Sequence, residues 1–238
     1  MMDILLLSNS TNAGGYLHYA RPMIAELSSA TKNAVFIPFA GINRNWDEYT
    51  RLVSEALVPL SLNIEPLHQA VDPIQAVKNA SLILIGGGNT FSLLHHCRRL
   101  GLLPVMREAV KSGVPYIGWS AGSNLACPTI CTTNDMPIID SQGLDALNLI
   151  PYQINPHYTN ALPIGIKGES RNQRLAEFTR LWPQLPVIGL PEENWIRIKN
   201  TQHVIHGPHP SWLFLAQNEP KELNAGLLSM HLNINGLN

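Results

Sequence analysis

The sequence predicts an α/β fold in which a doubly wound, mostly parallel sheet carries helices on both faces, with a C-terminal β-hairpin. Short apolar runs alternate with amphipathic segments along the first half of the chain, which is typical of parallel strands joined by helices. The run 82–85 is apolar throughout, as expected of a strand buried on both faces. Residues 195–206 alternate in polarity around a turn, which indicates a hairpin. Because 238 residues can bury one sizeable core, we expect a single domain over residues 1–238.

The individual elements follow from apolar spacing and from continuous apolar runs. The first half is predicted to contain strands at 3–8, 34–39, 62–67 and 82–85, with helices at 16–29, at 46–58 and from Pro73 onward. The second half is predicted to contain strands at 114–117, 187–190 and 212–216, with helices from Ala121 onward and at 169–182. Segments 129–139 and 153–157 lack clear periodicity, and we expect both to be loops.

The charge balance limits the kinds of partner. The 16 Lys and Arg residues against 17 Asp and Glu give a formal charge of -1, so the chain lacks the basic field that attracts nucleic acid or anionic lipid. The apolar run 4–7 follows the acidic Asp3 and is too short for a signal peptide. No run reaches the ~18 apolar residues of a membrane span. We therefore expect a cytoplasmic protein with a small-molecule partner, without nucleic acid or membrane.

Cysteines and histidines give no sign of a disulfide framework or a metal site. The three cysteines are Cys97, Cys127 and Cys131. Their odd number and irregular spacing favour buried, reduced thiols. Three histidines lie close together at His203, His206 and His209. Strand residues three apart point to opposite faces, and Pro208 and Pro210 exclude a helix, so we expect no metal and no cofactor.

The pentapeptide from Gly118 to Gly122 has the Gly-x-Ser-x-Gly pattern of a nucleophile elbow, with Ser120 at its centre. An apolar strand precedes it and helix-compatible residues follow, so Ser120 is predicted to lie on a sharp strand-to-helix turn. The N-terminus of the following helix favours a developing oxyanion. The alternative is an ordinary glycine-rich turn with a capping serine.

A second glycine-rich loop follows the buried strand 82–85. It comprises Gly86, Gly87, Gly88, Asn89 and Thr90 and opens a helix. A dinucleotide loop would need its third glycine at Phe91, and the Lys-Ser or Lys-Thr pair of a phosphate loop is absent. Backbone amides of this loop are better suited to an anion or an oxyanion, because ligands of doubly wound sheets lie beyond the carboxyl ends of the strands.

Four further residues are candidates for chemistry beside Ser120. The order Ser120, Asp135, His157 is the serine, acid, histidine order of α/β-hydrolases and supplies a nucleophile, an orienting acid and a base. Arg171 lies near the start of a predicted helix, where a cation is disfavoured, which suggests an anionic ligand. Glu192 lies just past the carboxyl end of strand 187–190, at the edge where ligands bind.

Six motifs in this order together resemble the peptidase E family of aspartyl dipeptidases. They are the elbow, the loop 86–90, and the segments 133–137, 155–157, 168–171 and 189–192. The resemblance implies a flavodoxin-like fold related to class I glutamine amidotransferases. It also implies a cytoplasmic serine exopeptidase that cleaves dipeptides with an N-terminal aspartate and needs no metal.

The resemblance also assigns roles to individual residues. Ser120 matches the nucleophile, His157 matches the base, and Asp135 matches the triad acid. Gly88 and Ala121 match the oxyanion donors, and Asn89 lies beside them. Arg171 matches the residue that binds the substrate carboxylate. Glu192 matches a glutamate also considered as the acid, and we favour Asp135 because its chain order fits. Ser123 and Glu193 depart from the expected alanine and glycine, and Glu193 adds a charge near the site.

Three other functions remain open at this point. A cyanophycinase would act on β-linked aspartate polymer. A non-catalytic protein of the same fold group would carry a cysteine at the elbow, where this chain has Ser120. A nucleotide-binding module would use the loop 86–90. The oligomeric state does not follow from the sequence.

Overall fold

The computed structural model describes residues 2–30, 33–162, 165, 168–216, 218–228 and 232, and its main element is an eight-stranded sheet. The strands in the described residues are β1 (Asp3–Leu7), β2 (Thr11–Asn12), β3 (Gly15–Tyr16), β4 (Asn33–Ile37), β5 (Asn63–Pro66), β6 (Ile83–Ile85), β7 (Tyr116–Trp119), β8 (Gln153–Pro156), β9 (Val187–Leu190), β10 (Trp195–Lys199), β11 (Gln202–His206), β12 (Ser211–Phe214), β13 (Lys221–Leu223) and β14 (Gly226–Leu227). The helices are α1 (Arg21–Leu27), α2 (Trp46–Leu57), α3 (Pro73–Lys78), α4 (Thr90–Arg99), α5 (Leu102–Lys111), α6 (Ala121–Ala126) and α7 (Arg171–Leu181), with short 3₁₀ turns at Val58–Leu60 and Leu67–Gln69.

The main sheet has the strand order β14-β11-β10-β1-β7-β6-β4-β5. Strands β1, β7, β6, β4 and β5 run parallel to one another, whereas β10, β11 and β14 are antiparallel additions beside β1. Strands β10 and β11 pair as a hairpin, from Trp195 opposite His206 to Lys199 opposite Gln202. The predicted α/β class is therefore confirmed.

Both faces of this sheet are covered by helices, because neighbouring side chains of each strand point in opposite directions. Leu5 and Leu7 of β1 pack in the cluster that contains residues of α1 and α2. Ile4 and Leu6 pack in the cluster that contains residues of α3, α4, α5 and α6. This two-sided burial explains why the parallel strands are almost wholly apolar.

A second sheet, of order β13-β12-β9-β8, contradicts the expectation that 153–157 is a loop. Residues 153–156 form β8, which pairs in parallel with β9. The polar residues that suggested a loop are buried and hydrogen-bonded: the Asn155 amide donates to the Thr132 carbonyl at 2.8 Å. Strand 187–190 is β9 and belongs to this second sheet, so the single predicted sheet is in fact two.

One predicted helix is shorter than expected, and one helix was not predicted. The helix expected at 16–29 begins only at Arg21, because the preceding residues form the small β2–β3 hairpin. Gly15, with φ 110°, permits that turn. Helix α5 was not predicted.

Candidate active site

The carboxyl ends of three neighbouring parallel strands meet at one edge of the main sheet. Leu7 of β1 lies opposite Trp119 of β7, and Gly118 lies opposite Ile85 of β6. The residues that follow these strands are Ser8, Ser120 and Gly86, so the elbow and the glycine-rich loop 86–90 are brought side by side. This is the edge at which parallel α/β sheets bind ligands.

Ser120 lies between β7 and α6 with φ 52° and ψ -109°, a conformation that costs a non-glycine residue about 1–3 kcal/mol. Its N–H donates to the Leu7 carbonyl at 3.1 Å, which ties the turn to β1. A Cβ added to Gly118 would lie 2.5 Å from the Gly122 oxygen, and one added to Gly122 would lie 2.4 Å from the Ile85 oxygen. Only glycine therefore fits on either side of this turn.

His157 directly follows β8 and also has a positive φ, 52°. Its backbone N–H donates to Ser8 Oγ at 2.8 Å, and the Ser8 hydroxyl donates to the Leu190 carbonyl at 2.7 Å. Its ring Nε2 lies 2.9 Å from Ser120 Oγ. Ser8 thus links the backbone of His157 to β9 of the second sheet. This role was not predicted, because a single serine at the end of a strand has no distinctive sequence pattern.

The carboxylate at the other ring nitrogen belongs to Glu192. Its Oε1 lies 2.7 Å from His157 Nδ1. Parallel pairing of β8 with β9 places Pro156 opposite Leu190, so the residues just after the two strands emerge next to each other. The interpretation of Asp135 as the acid on this histidine is therefore corrected, and the runner-up Glu192 occupies that position.

Asp135 instead caps helix α4. Its Oδ2 accepts hydrogen bonds from the Thr90 N–H at 2.8 Å, the Thr90 hydroxyl at 2.5 Å and the Thr133 hydroxyl at 2.9 Å. A carboxylate at a helix N-terminus is stabilised by the helix dipole. Asp135 therefore holds the loop 129–139 against the start of α4.

The glycine-rich loop is held closely against the segment after β4. Gly88 has φ 131°, and a Cβ there would lie 2.2 Å from the Ala40 oxygen. The Asn89 N–H donates to that same Ala40 oxygen at 2.8 Å. The Asn89 side chain accepts from the Ser92 N–H at 3.0 Å and donates to the Met136 carbonyl at 2.9 Å. These contacts make Asn89 the N-cap of α4 and a tether for the 129–139 loop.

A cavity of about 740 Å³ lies over the elbow and this loop. Predicted site residues on its wall are Gly88, Asn89, Ser120, Asp135 and His157; Tyr16, Arg44 and Tyr49 also line it. Ala121 is buried at the first position of α6, where its N–H has no partner within the helix. Tyr16, Arg44 and Tyr49 were not predicted as site residues.

Arg171 lies apart from the wall of that cavity, at the first position of α7. It lines a separate cavity of about 260 Å³ together with Glu169 and Arg174. Burial, followed by repulsion from Arg174, lowers the pKa of the Arg171 guanidinium. Burial raises the pKa of Tyr158, the residue after His157, and the charge of Arg171 partly opposes that rise. Arg171 is therefore near the histidine segment.

The two departures from the family pattern have structural explanations. The Ser123 hydroxyl is buried and donates to the Leu7 carbonyl at 2.7 Å, so it adds a second link between the elbow helix and β1. Glu193 has φ 62°, a region that favours glycine. Its N–H donates to Asn9 Oδ1 at 2.8 Å, and its Oε2 accepts from Asn12 at 2.9 Å.

The thiols differ from expectation in one respect. Cys97 and Cys127 are buried, and burial raises the pKa of each thiol, that of Cys127 to about 12. Cys131 is exposed, so its predicted burial was wrong: it lies in the polar segment after α6.

Within the described ranges, no group of three or more His, Cys, Asp or Glu side chains is placed to hold a metal ion. No helix in that same part of the chain is long and apolar enough to cross a membrane.

Comparison with known proteins gives consistent matches. The sequence model of peptidase family S51 matches residues 4–206. Peptidase E of Salmonella typhimurium (strain LT2) is 54% identical over 226 residues, which is 94% of this chain and 99% of that protein. The crystal structure of a candidate peptidase E from Listeria monocytogenes EGD-e aligns with TM-score 0.64 at 24% identity, over 88% of this chain and 100% of that one. A peptidase from an acI-B1 Actinobacterium aligns with TM-score 0.66 at 17% identity, over 94% and 95% of the two chains, and these structural matches indicate the shared fold.

Proposed function

The chain belongs to peptidase family S51 and is a serine peptidase, and we propose that it removes an N-terminal aspartate from dipeptides through Ser120, His157 and Glu192. The observation that carries the proposal is a continuous chain of two contacts. Ser120 Oγ lies 2.9 Å from His157 Nε2, and His157 Nδ1 lies 2.7 Å from Glu192 Oε1. These distances are within the reach that proton transfer requires. The parallel strands with helices on both faces further support assignment to the flavodoxin-like, class I glutamine amidotransferase-like folds.

The reaction would proceed through an acyl-enzyme. Ser120 Oγ attacks the carbonyl of the first residue while His157 Nε2 accepts the hydroxyl proton. When the C–N bond breaks, the same nitrogen returns a proton to the leaving amine. Water then attacks the ester by the same route and releases aspartate. Glu192 accepts the Nδ1–H hydrogen bond and stabilises the imidazolium that forms in each step.

The oxyanion of each tetrahedral intermediate would be bound by the N–H groups of Gly88 and Ala121. Gly88 lies on the wall of the cavity that also holds Ser120. Ala121 follows the nucleophile at the N-terminus of α6, where backbone N–H groups point outward. A donor of this kind is worth about 3 kcal/mol of transition-state stabilisation.

Arg171 is the proposed reader of the aspartate side chain. It is half-buried, and no hydrogen bond or ion pair joins its side chain to another described residue, so its five donors are free for a ligand. A guanidinium binds a carboxylate through two parallel hydrogen bonds between opposite charges. An asparagine side chain has a similar shape but no charge, so it should bind more weakly. The neighbour of Arg171, Asn172, accepts a hydrogen bond from the hydroxyl of Tyr158, the residue after His157, which supports a position close to the histidine segment.

The proposal is tested by kcat/KM on Asp-Leu, Asn-Leu, Glu-Leu, Ala-Leu and β-linked Asp-Leu. We expect a strong preference for Asp-Leu, with glutamate disfavoured because its extra methylene misplaces the scissile carbonyl. Arg171→Gln should reduce the ratio of Asp-Leu to Asn-Leu by about tenfold or more, whereas Arg180→Gln, at an exposed position near the end of α7 and outside the lining of the cavity that contains Arg171, should leave it unchanged. Preference for the β-linked substrate would contradict the proposal and favour a cyanophycinase-like activity. Activity that is lost with a chelator and restored by zinc would also contradict it.

A further inference from the structure

A single cationic side chain lies on the wall of the cavity over Ser120. Among the described residues that line this cavity, Arg44 is the only Lys or Arg. The cavity also contains the Asp135 carboxylate, but one of its oxygens already accepts three hydrogen bonds at the start of α4. The wall therefore carries one carboxylate that is already engaged with α4 and one guanidinium, that of Arg44, as the cationic group it offers to a ligand.

Arg44 is held in place without being neutralised. Its guanidinium carbon lies 5.9 Å from the centre of the Tyr49 ring, within the range of a cation–π contact. The Tyr49 hydroxyl in turn donates to the Gly87 carbonyl at 2.9 Å, so the arginine rests on the residue that holds the glycine-rich loop. No hydrogen bond or ion pair joins its side chain to another described residue. An exposed, supported guanidinium of this kind is free to bind an anion.

The short segment that carries Arg44 is anchored at both ends. The Gly41 N–H donates to the Pro38 carbonyl at 2.8 Å on the β4 side. Asn45 caps α2, because its side chain accepts from the Glu48 N–H at 2.8 Å. The arginine therefore projects from a connection of fixed length between β4 and α2.

We propose that Arg44 binds the free α-carboxylate of the leaving residue, an inference that rests on the proposed dipeptidase function. An Asp-Xaa dipeptide carries two carboxylates, one on the aspartate side chain and one at the C-terminus, two atoms beyond the scissile nitrogen. Arg171 and Arg44 lie on different elements: Arg171 at the start of α7, lining a separate cavity, and Arg44 on the wall of the cavity over Ser120, beside the glycine-rich loop. One cation for each carboxylate would make the enzyme selective for dipeptides, since a longer peptide has a neutral amide at this point.

The test compares Asp-Leu with Asp-Leu amide, which has nearly the same shape but lacks the terminal charge. For the wild type we expect kcat/KM to be about 10- to 100-fold higher for the free acid, the range of a charged hydrogen-bonded pair. Arg44→Gln should bring this ratio close to one by slowing Asp-Leu alone, and Arg44→Lys should retain part of it. Arg51→Gln, an exposed arginine of α2 paired only at 3.9 Å with Glu55, is the matched control and should leave the ratio unchanged.

The two substrate ratios distinguish the role of Arg44 from that of Arg171, and this inference from the proposed function. Arg44→Gln should leave the ratio of Asp-Leu to Asn-Leu unchanged, because that ratio reports the aspartate side chain. If Arg44→Gln slows the acid and the amide equally, or if the wild type cleaves both equally well, Arg44 does not bind the terminal carboxylate and the inference is overturned while the dipeptidase function stands. A wild type inactive on both substrates overturns the proposed function and this inference with it.

Discussion

Glu192 Oε1 lies 2.7 Å from His157 Nδ1, on the ring edge opposite the nitrogen that contacts Ser120. The pair is partly open to solvent, and its alignment comes from two strands that end side by side rather than from a buried network. Glu192 is thus positioned by the second sheet, whereas Ser120 is positioned by the first.

Glu192→Gln should lower kcat far more than KM, because the amide keeps the shape but removes the charge that stabilises the imidazolium. By analogy with the acid of other serine peptidase triads, the expected loss in kcat is on the order of 10⁴. The measurement is steady-state hydrolysis of Asp-Leu, with folding checked by circular dichroism.

Asp135→Asn is the matched comparison, since it too exchanges a carboxylate for an amide. It weakens the cap on α4 and should mainly reduce stability, with a much smaller effect on kcat. If Asp135→Asn carried the larger kinetic loss, the two carboxylates would have to exchange roles.

The contact of His157 with Glu192 rather than with Asp135 has a physical origin that the sequence pattern does not contain. The sequence places Asp135 and Glu192 equally well, since each lies in a segment that can reach the same edge of the fold. The choice depends on the parallel pairing of Asn155 with Gly189, which brings the ends of β8 and β9 together. Residues 153–156 looked like a loop because Gln153 and Asn155 are polar, and their buried hydrogen bonds are not visible in a periodicity pattern.

The elbow was predictable because its sequence pattern is local. Glycine stands two positions before and two positions after Ser120, and an apolar strand precedes it, although the oxygen that excludes a Cβ at Gly122 belongs to Ile85 of β6. Arg44 and Tyr49, in contrast, reach the cavity from the β4–α2 connection and from α2, more than 70 residues before Ser120. Only the strand order of the main sheet, with β4 beside β6 and β6 beside β7, brings them close to Ser120.

Replacing Ser120 by glycine should separate strain from chemistry. Both Ser120→Gly and Ser120→Ala remove the nucleophile and should lower kcat by about 10⁶. Glycine adopts φ near 52° without steric cost, whereas alanine retains that cost, so the glycine variant should be more stable than the alanine variant by about 1 kcal/mol. Urea denaturation measures the difference. An alanine variant as stable as the glycine variant would mean that this turn stores no strain.

Tyr49→Phe should reduce kcat although Tyr49 is not a triad residue. Its hydroxyl holds the Gly87 carbonyl at 2.9 Å, and a planar trans peptide points the Gly88 N–H in the opposite direction. Loss of this hydrogen bond should loosen an oxyanion donor and lower kcat on the order of tenfold, less than the ~10²–10³ of losing a donor outright. KM should change little, because the effect arises in the transition state.

Tyr152→Phe provides the control for that experiment. It removes another buried tyrosine hydroxyl, one that contacts His203 and does not line the cavity. It should reduce stability but leave kcat unchanged. Equal kinetic effects of the two variants, or a Tyr49→Phe effect confined to KM, would argue against the positioning role.

The stability of the protein should fall as the pH drops below about 6.5, the usual pKa of an unfolded histidine. His203 is buried, and burial lowers its pKa in the folded state to about 4. Between these two values the unfolded chain binds a proton at this residue and the folded chain does not, so acid favours unfolding.

His203→Gln removes this titration while leaving a polar partner for the Tyr152 hydroxyl, 3.0 Å away in the wild type. His96 and His206 also have lowered pKa values, but they are present in both proteins, so their contributions cancel in the difference. Between about pH 7.5 and about pH 5, the wild type should lose about 2 kcal/mol more unfolding free energy than the variant. Chemical denaturation at a series of pH values measures both curves. Parallel curves would show that His203 becomes protonated in the folded protein as readily as in the unfolded chain.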